Sequence, residues 1–190
     1  MISKESIQTL FKAQLDQIKD AKLAEKVVEA WLLGCEQGGW KTIEDLEKMP
    51  FTLITDTKGI NFIEHTIAVT EGAIGLAKAQ LQSYKEMPYK IDMDRLIAGG
   101  ILHDVGKLLE IEKVDQVYQK SRNGNCIRHP ISGTVLAAQV GIPQEILNII
   151  ACHSKEGDGR PKVIEAVLVH QADFALFDPL TLLKENKLIL

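Results

Sequence analysis

Apolar residues recur every three to four positions along most of this chain, the spacing that lines them up on one face of an α-helix. Ile7, Leu10, Phe11, Leu15 and Ile18 do so over residues 3–19, with Ser3 placed to cap the first turn. Leu23, Val27, Ala30, Trp31 and Gly34 repeat the pattern over 22–34, and Gly38-Gly39 ends it. Thr42 and Asp45 open a short helix that Pro50 closes, and residues 51–60 read as a loop. Periodicity returns from Asn61 to Tyr84 through Phe62, Val69, Ala73, Leu76 and Ala77, and from Asp92 to Val105 through Met93, Leu96, Ile97, Ile101 and Leu102.

Residues 110–128 are irregular and polar, with Asn123-Gly124 as a turn and Gln116–Tyr118 as a brief strand. Pro130 suits the first turn of a helix running to Val140, and Pro143 does the same for one running through Ala151. A last long helix spans 162–177 and is broken by Pro179. The predicted class is therefore all-α. The expected organisation is a helical bundle over residues 59–190. Residues 1–58 form an N-terminal helical extension packed on it, which could offer a homodimer surface.

At 190 residues, 45% hydrophobic and 25% charged, the chain has the composition of one globular domain, which excludes disorder and fibre. A net charge of −4 without a basic run argues against binding long nucleic acid, whose phosphates demand a broad basic face. No run reaches the ~18 apolar residues of a membrane span, and Met-Ile-Ser-Lys-Glu-Ser does not begin a secretory signal, so a cytoplasmic location and no membrane partner are expected. Cys35, Cys126 and Cys152 form no CxxC pair and are expected to be reduced core thiols.

The informative residues are the five histidines and two of the aspartates. His65 shares a helical face with Phe62, Val69 and Ala73. His103 lies among Ile97, Gly100, Ile101 and Leu102, His153 continues the line Ile146, Ile149, Ile150, and His129 precedes Pro130 at a helix start. Asp104 follows an apolar run, and no Lys or Arg lies within helical reach of Asp173. An unpaired buried carboxylate costs several kcal/mol or is forced to protonate. Carboxylates facing imidazoles from neighbouring helices share one solution, a metal cation. Lys107 lies over the same helix end as His103 and Asp104. His170, one turn before Asp173, reads as a core histidine, and Cys152 points about 100° away from His153, so it is not counted as a ligand.

The ordered set of His65, His103-Asp104 in Ile-Leu-His-Asp-Val-Gly-Lys, His129-Pro130, His153 and Asp173 in Gln-Ala-Asp resembles the HD-domain superfamily of metal-dependent phosphohydrolases over residues 60–178. The resemblance implies that His65, His103, Asp104 and Asp173 bind one divalent ion. It implies that His129 and His153 bind a second, bridged by Asp104; the metal could be Fe, Mn, Co, Ni, Zn or Mg. It also implies that Lys107 faces substrate phosphate. The stretch His153-Ser154-Lys155-Glu156-Gly157 departs from the motifs of the cyclic-dinucleotide phosphodiesterases and of the bacterial dinucleoside-tetraphosphate hydrolases.

The expected activity is hydrolysis of a phosphate ester or anhydride on a small phosphorylated substrate, a nucleotide for preference, with Asp104 and Lys107 as the catalytic residues. Arg122, Arg128 and Lys155 are expected near the substrate phosphate. Trp40 and Tyr118 are the aromatic rings weighed for base stacking. Two other readings fit the same ligands: a di-iron oxygenase acting on a small organic substrate, and a non-catalytic signalling or scaffold domain.

Overall fold

The computed structural model describes residues 2–155, 157 and 159–189. Its helices are α1 (Lys4–Leu10), α2 (Lys12–Leu15), α3 (Ala21–Gly38), α4 (Ile43–Lys48), α5 (Phe62–Ser83), α6 (Met93–Leu102), α7 (Lys107–Glu110), α8 (Arg122–Cys126), α9 (His129–Gln139), α10 (Gln144–Cys152) and α11 (Ile164–Lys184). A small hairpin, β1 (Ile111–Val114) and β2 (Val117–Lys120), sits between α7 and α8. Among the described residues the fold is all-α apart from this hairpin.

Local chemistry sets the helix starts. Ser3 accepts from the Ser6 amide, Asp20 from the Lys22 and Leu23 amides, Thr42 from the Asp45 amide and Asp92 from the Arg95 amide. Asn61 and Glu64 form a reciprocal capping box that opens α5. Gly39, in the left-handed region at φ 76°, ends α3 one residue past Gly38.

Four segments differ from the sequence reading. Residues 3–19 form two helices, because Phe11 leaves helical geometry at φ −111°, ψ 20° while its ring stays in the core. The irregular segment contains a hairpin in which Ile111 pairs with Lys120 and Val114 with Val117, and Gln116 belongs to its turn rather than to a strand. Asp115 and Gln116 both take positive φ, 48° and 67°, as a two-residue turn matched to strand twist requires. Asn123 and Gly124 lie inside α8, where Ser121 accepts from the Gly124 amide. Pro179 does not end α11, which continues to Lys184. Residues 175 and 176, one turn before this proline, are exposed. A carbonyl that loses its helical partner there can turn to water.

The bundle centres on α5, α6, α10 and α11, which pack on one another. Its main hydrophobic cluster continues into the N-terminal helices: Phe11, Trp31 and Phe62 pack in sequence as tilted rings at centroid separations of 4.7 and 5.2 Å. Full burial of Phe11 or Phe62 contributes about 1.5–3 kcal/mol each. Trp31 Nε1 donates to the Ile101 carbonyl (3.0 Å) and Trp40 Nε1 to the Leu108 carbonyl (2.8 Å). Both bonds flank the segment 103–107 and hold it from the side of α3. α11 is long and apolar enough, by length and composition, to cross a membrane. Here it packs along α5 and carries the buried Glu165 on the side where Ala166, Val169 and Ala172 are also buried. Cys35 and Cys152 are buried as expected, whereas Cys126 is exposed. Burial pushes the Cys35 thiol up to about 12.

Candidate metal centre

His65 comes from the first turns of α5, His103 and Asp104 from the end of α6, His129 from the start of α9, His153 from the end of α10 and Asp173 from α11. Helix ends converge here because the chain packs without side chains at two glycines. A Cβ on Gly106 would lie 2.0 Å from the His129 carbonyl oxygen, and one on Gly133 would lie 2.9 Å from the Gly106 nitrogen. That close approach of α9 brings His129 to Asp104.

Asp104 is 1% exposed, and its two oxygens face different partners. Oδ2 lies 3.3 Å from His103 Nε2 and 3.6 Å from His65 Nε2, while Oδ1 lies 3.2 Å from His129 Nε2 and 3.4 Å from His153 Nε2. The donor atoms of His65, His103 and Asp104 lie within 4.8 Å of one another, and so do those of Asp104, His129 and His153. Asp173 Oδ1 is 3.1 Å from His65 Nε2, and this carboxylate is less enclosed, with 14% of its side chain exposed.

The rings are fixed from behind. Nδ1 of His103 is 2.6 Å from the Gly100 carbonyl, Nδ1 of His153 is 2.8 Å from the Ile150 carbonyl, and Nδ1 of His129 is 2.8 Å from Glu110 Oε2. Carbonyl and carboxylate acceptors require N–H at Nδ1, which leaves the Nε2 lone pair directed at the centre. His65 instead stacks on Phe51 at 4.0 Å. His170 Nδ1 donates to the His153 carbonyl (2.6 Å), so this histidine steadies the ligand loop rather than joining the cluster.

Among the described residues, the buried atoms His65 Nε2, His103 Nε2 and Asp104 Oδ1 make no hydrogen bond. Such orphans are costly unless a ligand satisfies them. Donors about 2.1 Å from one ion at tetrahedral or octahedral angles stand about 3.0–3.4 Å apart, close to the 3.2–3.6 Å separations around Asp104. The residues therefore fit divalent metal.

The electrostatics agree. Burial alone would raise the Asp104 carboxyl, but Lys107, His103 and His129 outweigh it and hold it well below the usual carboxylate range. Burial opposes ionisation of Asp173 too, and the adjoining His65 prevails, bringing it to about 2. Burial pushes His65 and His153 down, so they stay neutral. Burial acts the same way on His103 and His129, where Asp104, joined by Glu110 at His129, overrides it and raises both.

Asp104, His129 and Asp173 of the cluster line a cavity of about 520 Å³. Lys107, Arg128 and Lys155 line it, as does Lys120; Arg122 is exposed in α8 and is not part of the lining. Lys107 Nζ also donates to Asp104 Oδ2. Phe51, Leu53, Ile54, Phe174 and Phe177 make up the apolar wall. Trp40 and Tyr118 are elsewhere: they stack on each other at 6.3 Å, and the Tyr118 hydroxyl donates to the Asp45 carbonyl, so neither is a base platform. Sequence reasoning missed Glu110, whose only signal was its place three residues after Lys107. It also missed Phe51 to Ile54, whose apolar character inside an expected loop was the available sign.

A helical bundle that gathers four histidines and two aspartates from five helices or their ends defines a metal-binding core of one recognisable type. The chain belongs to the HD domain family, which matches residues 62–174. It is 30% identical over 165 residues to the dihydroneopterin 2′,3′-cyclic phosphate phosphodiesterase of Methanocaldococcus jannaschii, covering 84% of this chain and 65% of that one. It is 33% identical over 115 residues to ribonuclease Y of Thermotoga petrophila, covering 60% of this chain and 18% of that protein. Ribonuclease Y of Desulforudis audaxviator is 31% identical over the same length. No solved structure matches.

Proposed function

We propose that the protein is a metal-dependent phosphohydrolase that cleaves a phosphodiester of a small substrate, with two divalent ions held on the two sides of Asp104. The division of the Asp104 oxygens between the pairs His65/His103 and His129/His153 carries this reading. The similarity to a cyclic phosphate phosphodiesterase and to ribonucleases supports the diester, because the linkage in RNA is also a phosphodiester.

Two bound divalent ions would polarise the phosphoryl oxygen and lower the pKa of water beside it. Everything else falls to the chain. Asp104 joins the two sides and fixes their separation. The Nδ1 anchors of His103, His129 and His153 keep the three Nε2 lone pairs in place. Lys107, Lys120, Arg128 and Lys155 oppose the phosphate charge, which also accumulates on the departing oxygen. Cavity walls limit access of bulk water. In the overall reaction a water oxygen bonds to phosphorus, one ester P–O bond breaks, and the proton released by water ends on the leaving alcohol.

The test is a screen of cyclic and linear phosphodiesters, nucleotides and monoesters with Mn²⁺, Fe²⁺, Co²⁺, Ni²⁺ and Mg²⁺ in parallel. Release of a monoester from a diester is expected. Absence of any phosphorus product together with dioxygen consumption on an organic substrate would replace this reading with an oxygenase.

A further inference from the structure

The hairpin β1–β2 and α8 hold Glu110 and Lys120 side by side at the edge of the metal centre. Glu110 ends α7 and Ile111 begins β1; Ile111 pairs with Lys120, so the strand register returns the chain to Glu110. The Ser121 amide then donates to the Glu110 carbonyl (2.8 Å), and Ser121 Oγ donates to the Leu109 carbonyl. Helix α8 closes the back. A Cβ on Gly124 would lie 2.3 Å from the Glu110 carbonyl oxygen and 2.8 Å from its Cγ, an approach that glycine alone permits.

Glu110 divides its two carboxylate oxygens. Oε2 accepts from both the backbone and the ring N–H of His129, while Oε1 lies 3.7 Å from Lys120 Nζ. The two contacts are unequal. The one to Lys120 is too long for a direct hydrogen bond, and 36% of the lysine side chain is exposed against 11% for Glu110. The carboxylate is therefore the fixed partner, and the ammonium, on its flexible four-carbon stem, is the one able to leave. Both residues line the cavity, so an anion bound there competes with Glu110 for Lys120. Lys107 differs, because it donates to Asp104 itself.

A carboxylate that accepts from a histidine Nδ1–H raises the basicity of Nε2 as a ligand. A cation beside the same carboxylate draws off part of that effect. The place of Lys120 thus sets how strongly Glu110 acts on His129.

We propose that Lys120 is a positioning residue that couples phosphate in the cavity to metal binding at His129. With the cavity empty, Lys120 stays beside Glu110 and weakens His129 as a ligand. Phosphate draws the ammonium away, leaves Glu110 to His129 and tightens metal binding on that side. The coupling is reciprocal, so metal at His129 also tightens phosphate. This inference rests on the phosphohydrolase reading for the identity of the anion and adds to it a residue that links substrate to ligand.

The experiment is a double-mutant cycle on Lys120 and Glu110, read by Mn²⁺ titration; the relevant step is the one that His129→Ala removes. Lys120→Met keeps the aliphatic stem of a half-exposed side chain, so the fold is retained. Without phosphate, Lys120→Met is expected to tighten this step about fivefold, and Lys120→Arg to match wild type. In a Glu110→Gln background, Lys120→Met is expected to change it by no more than about twofold. Inorganic phosphate is expected to tighten the step in wild type, and this gain to be about fivefold smaller in Lys120→Met. On a phosphodiester, Lys120→Met is expected to raise KM about tenfold with a smaller change in kcat. Mn²⁺ binding that Lys120→Met leaves unchanged or weakens overturns the proposal, and so does equal tightening with Glu110 present and replaced, which would make Lys120 a bare charge. Failure of wild type to cleave any diester, with the Mn²⁺ cycle as expected, removes the hydrolase and upholds the coupling.

Discussion

Glu110 accepts two hydrogen bonds from one residue, His129: the backbone N–H at 2.9 Å and ring Nδ1 at 2.8 Å. The carboxylate thus fixes the tautomer and the position of the helix start that bears the ligand. Burial would raise Glu110, but these bonds from His129 hold it below its usual value, so it remains charged. Glu110→Gln keeps the size and loses the charge. It is expected to weaken metal binding at the His129/His153 side by about 10–100-fold while sparing the other side. A metal titration followed by elemental analysis separates the two.

Asp104→Ala is expected to abolish binding of both ions, because each oxygen serves one histidine pair. His129→Ala combined with His153→Ala is expected to retain one. Excess Mn²⁺ at about 100 times its dissociation constant is expected to stabilise wild type by about 2.7 kcal/mol in thermal unfolding, with no such gain for Asp104→Ala. One ion per chain in reconstituted wild type would remove the second site.

Gly106→Ala tests whether the backbone crossing places His129. The added methyl meets the His129 carbonyl oxygen and the Gly133 nitrogen, both backbone atoms that cannot swing aside. A cost of about 1–3 kcal/mol is expected, with the His129 side losing metal first. A Gly106→Ala protein with unchanged metal stoichiometry and melting temperature would contradict this account.

The legible parts of the chain were those where one residue type at one spacing admits few environments. Helices α3, α5, α6, α9 and α10 follow from apolar period and caps. Polar side chains on or at the ends of apolar faces marked the histidines and aspartates, and the resemblance of the ordered motif is what joined His65, His103, Asp104, His129, His153 and Asp173 into one set. What escaped depends on tertiary contact. Glu110 ends a four-residue helix and has no apolar stripe to betray its burial. Pro179 reads locally as a stop, yet the exposed turn before it tolerates the proline. Residues 51–54 lack helical period, and they line the cavity in a segment whose Ile54 carbonyl is held by Lys184, 130 residues away. Arg122 and Arg128 looked alike as loop cations, and only the packing of α8 separates the exposed one from the one lining the cavity.

Acid stability of the metal-free protein is expected to carry the signature of Asp173. Its folded value, about 2, lies below the unfolded 3.8, so its contribution is complete above about pH 4 and disappears as the pH falls toward 2. The magnitude is about 2 kcal/mol. The histidines act at higher pH with opposing signs. His65 and His153, pushed down, lose their contribution as the pH falls below 6.5, whereas His103 and His129, raised, lose theirs as it climbs above their folded values. Comparing denaturant unfolding of wild type and Asp173→Asn from pH 2 to 5 isolates the carboxylate. Parallel curves through that window would show that His65 does not hold Asp173 ionised.

Lys107 donates to the same Asp104 oxygen that faces His65 and His103, and its ammonium lines the cavity. Two roles follow from this position, and they predict opposite effects on metal. A structural lysine would keep Asp104 charged and placed, so its loss would loosen the centre. A lysine acting on substrate competes with the metal for Asp104 until a phosphate draws it away. Removing it would then leave affinity unchanged or improved, because one positive charge beside the ions is gone. The second role is the expected one. Lys107→Ala is expected to retain full metal and to lose about 100-fold in kcat/KM on a phosphodiester, the scale of deleting one stabilising group for developing charge. Lys107→Arg keeps the charge on a longer, planar head and is expected to recover only part of that loss. Loss of metal from Lys107→Ala would assign the lysine to the scaffold and leave the phosphate to Lys120, Arg128 and Lys155.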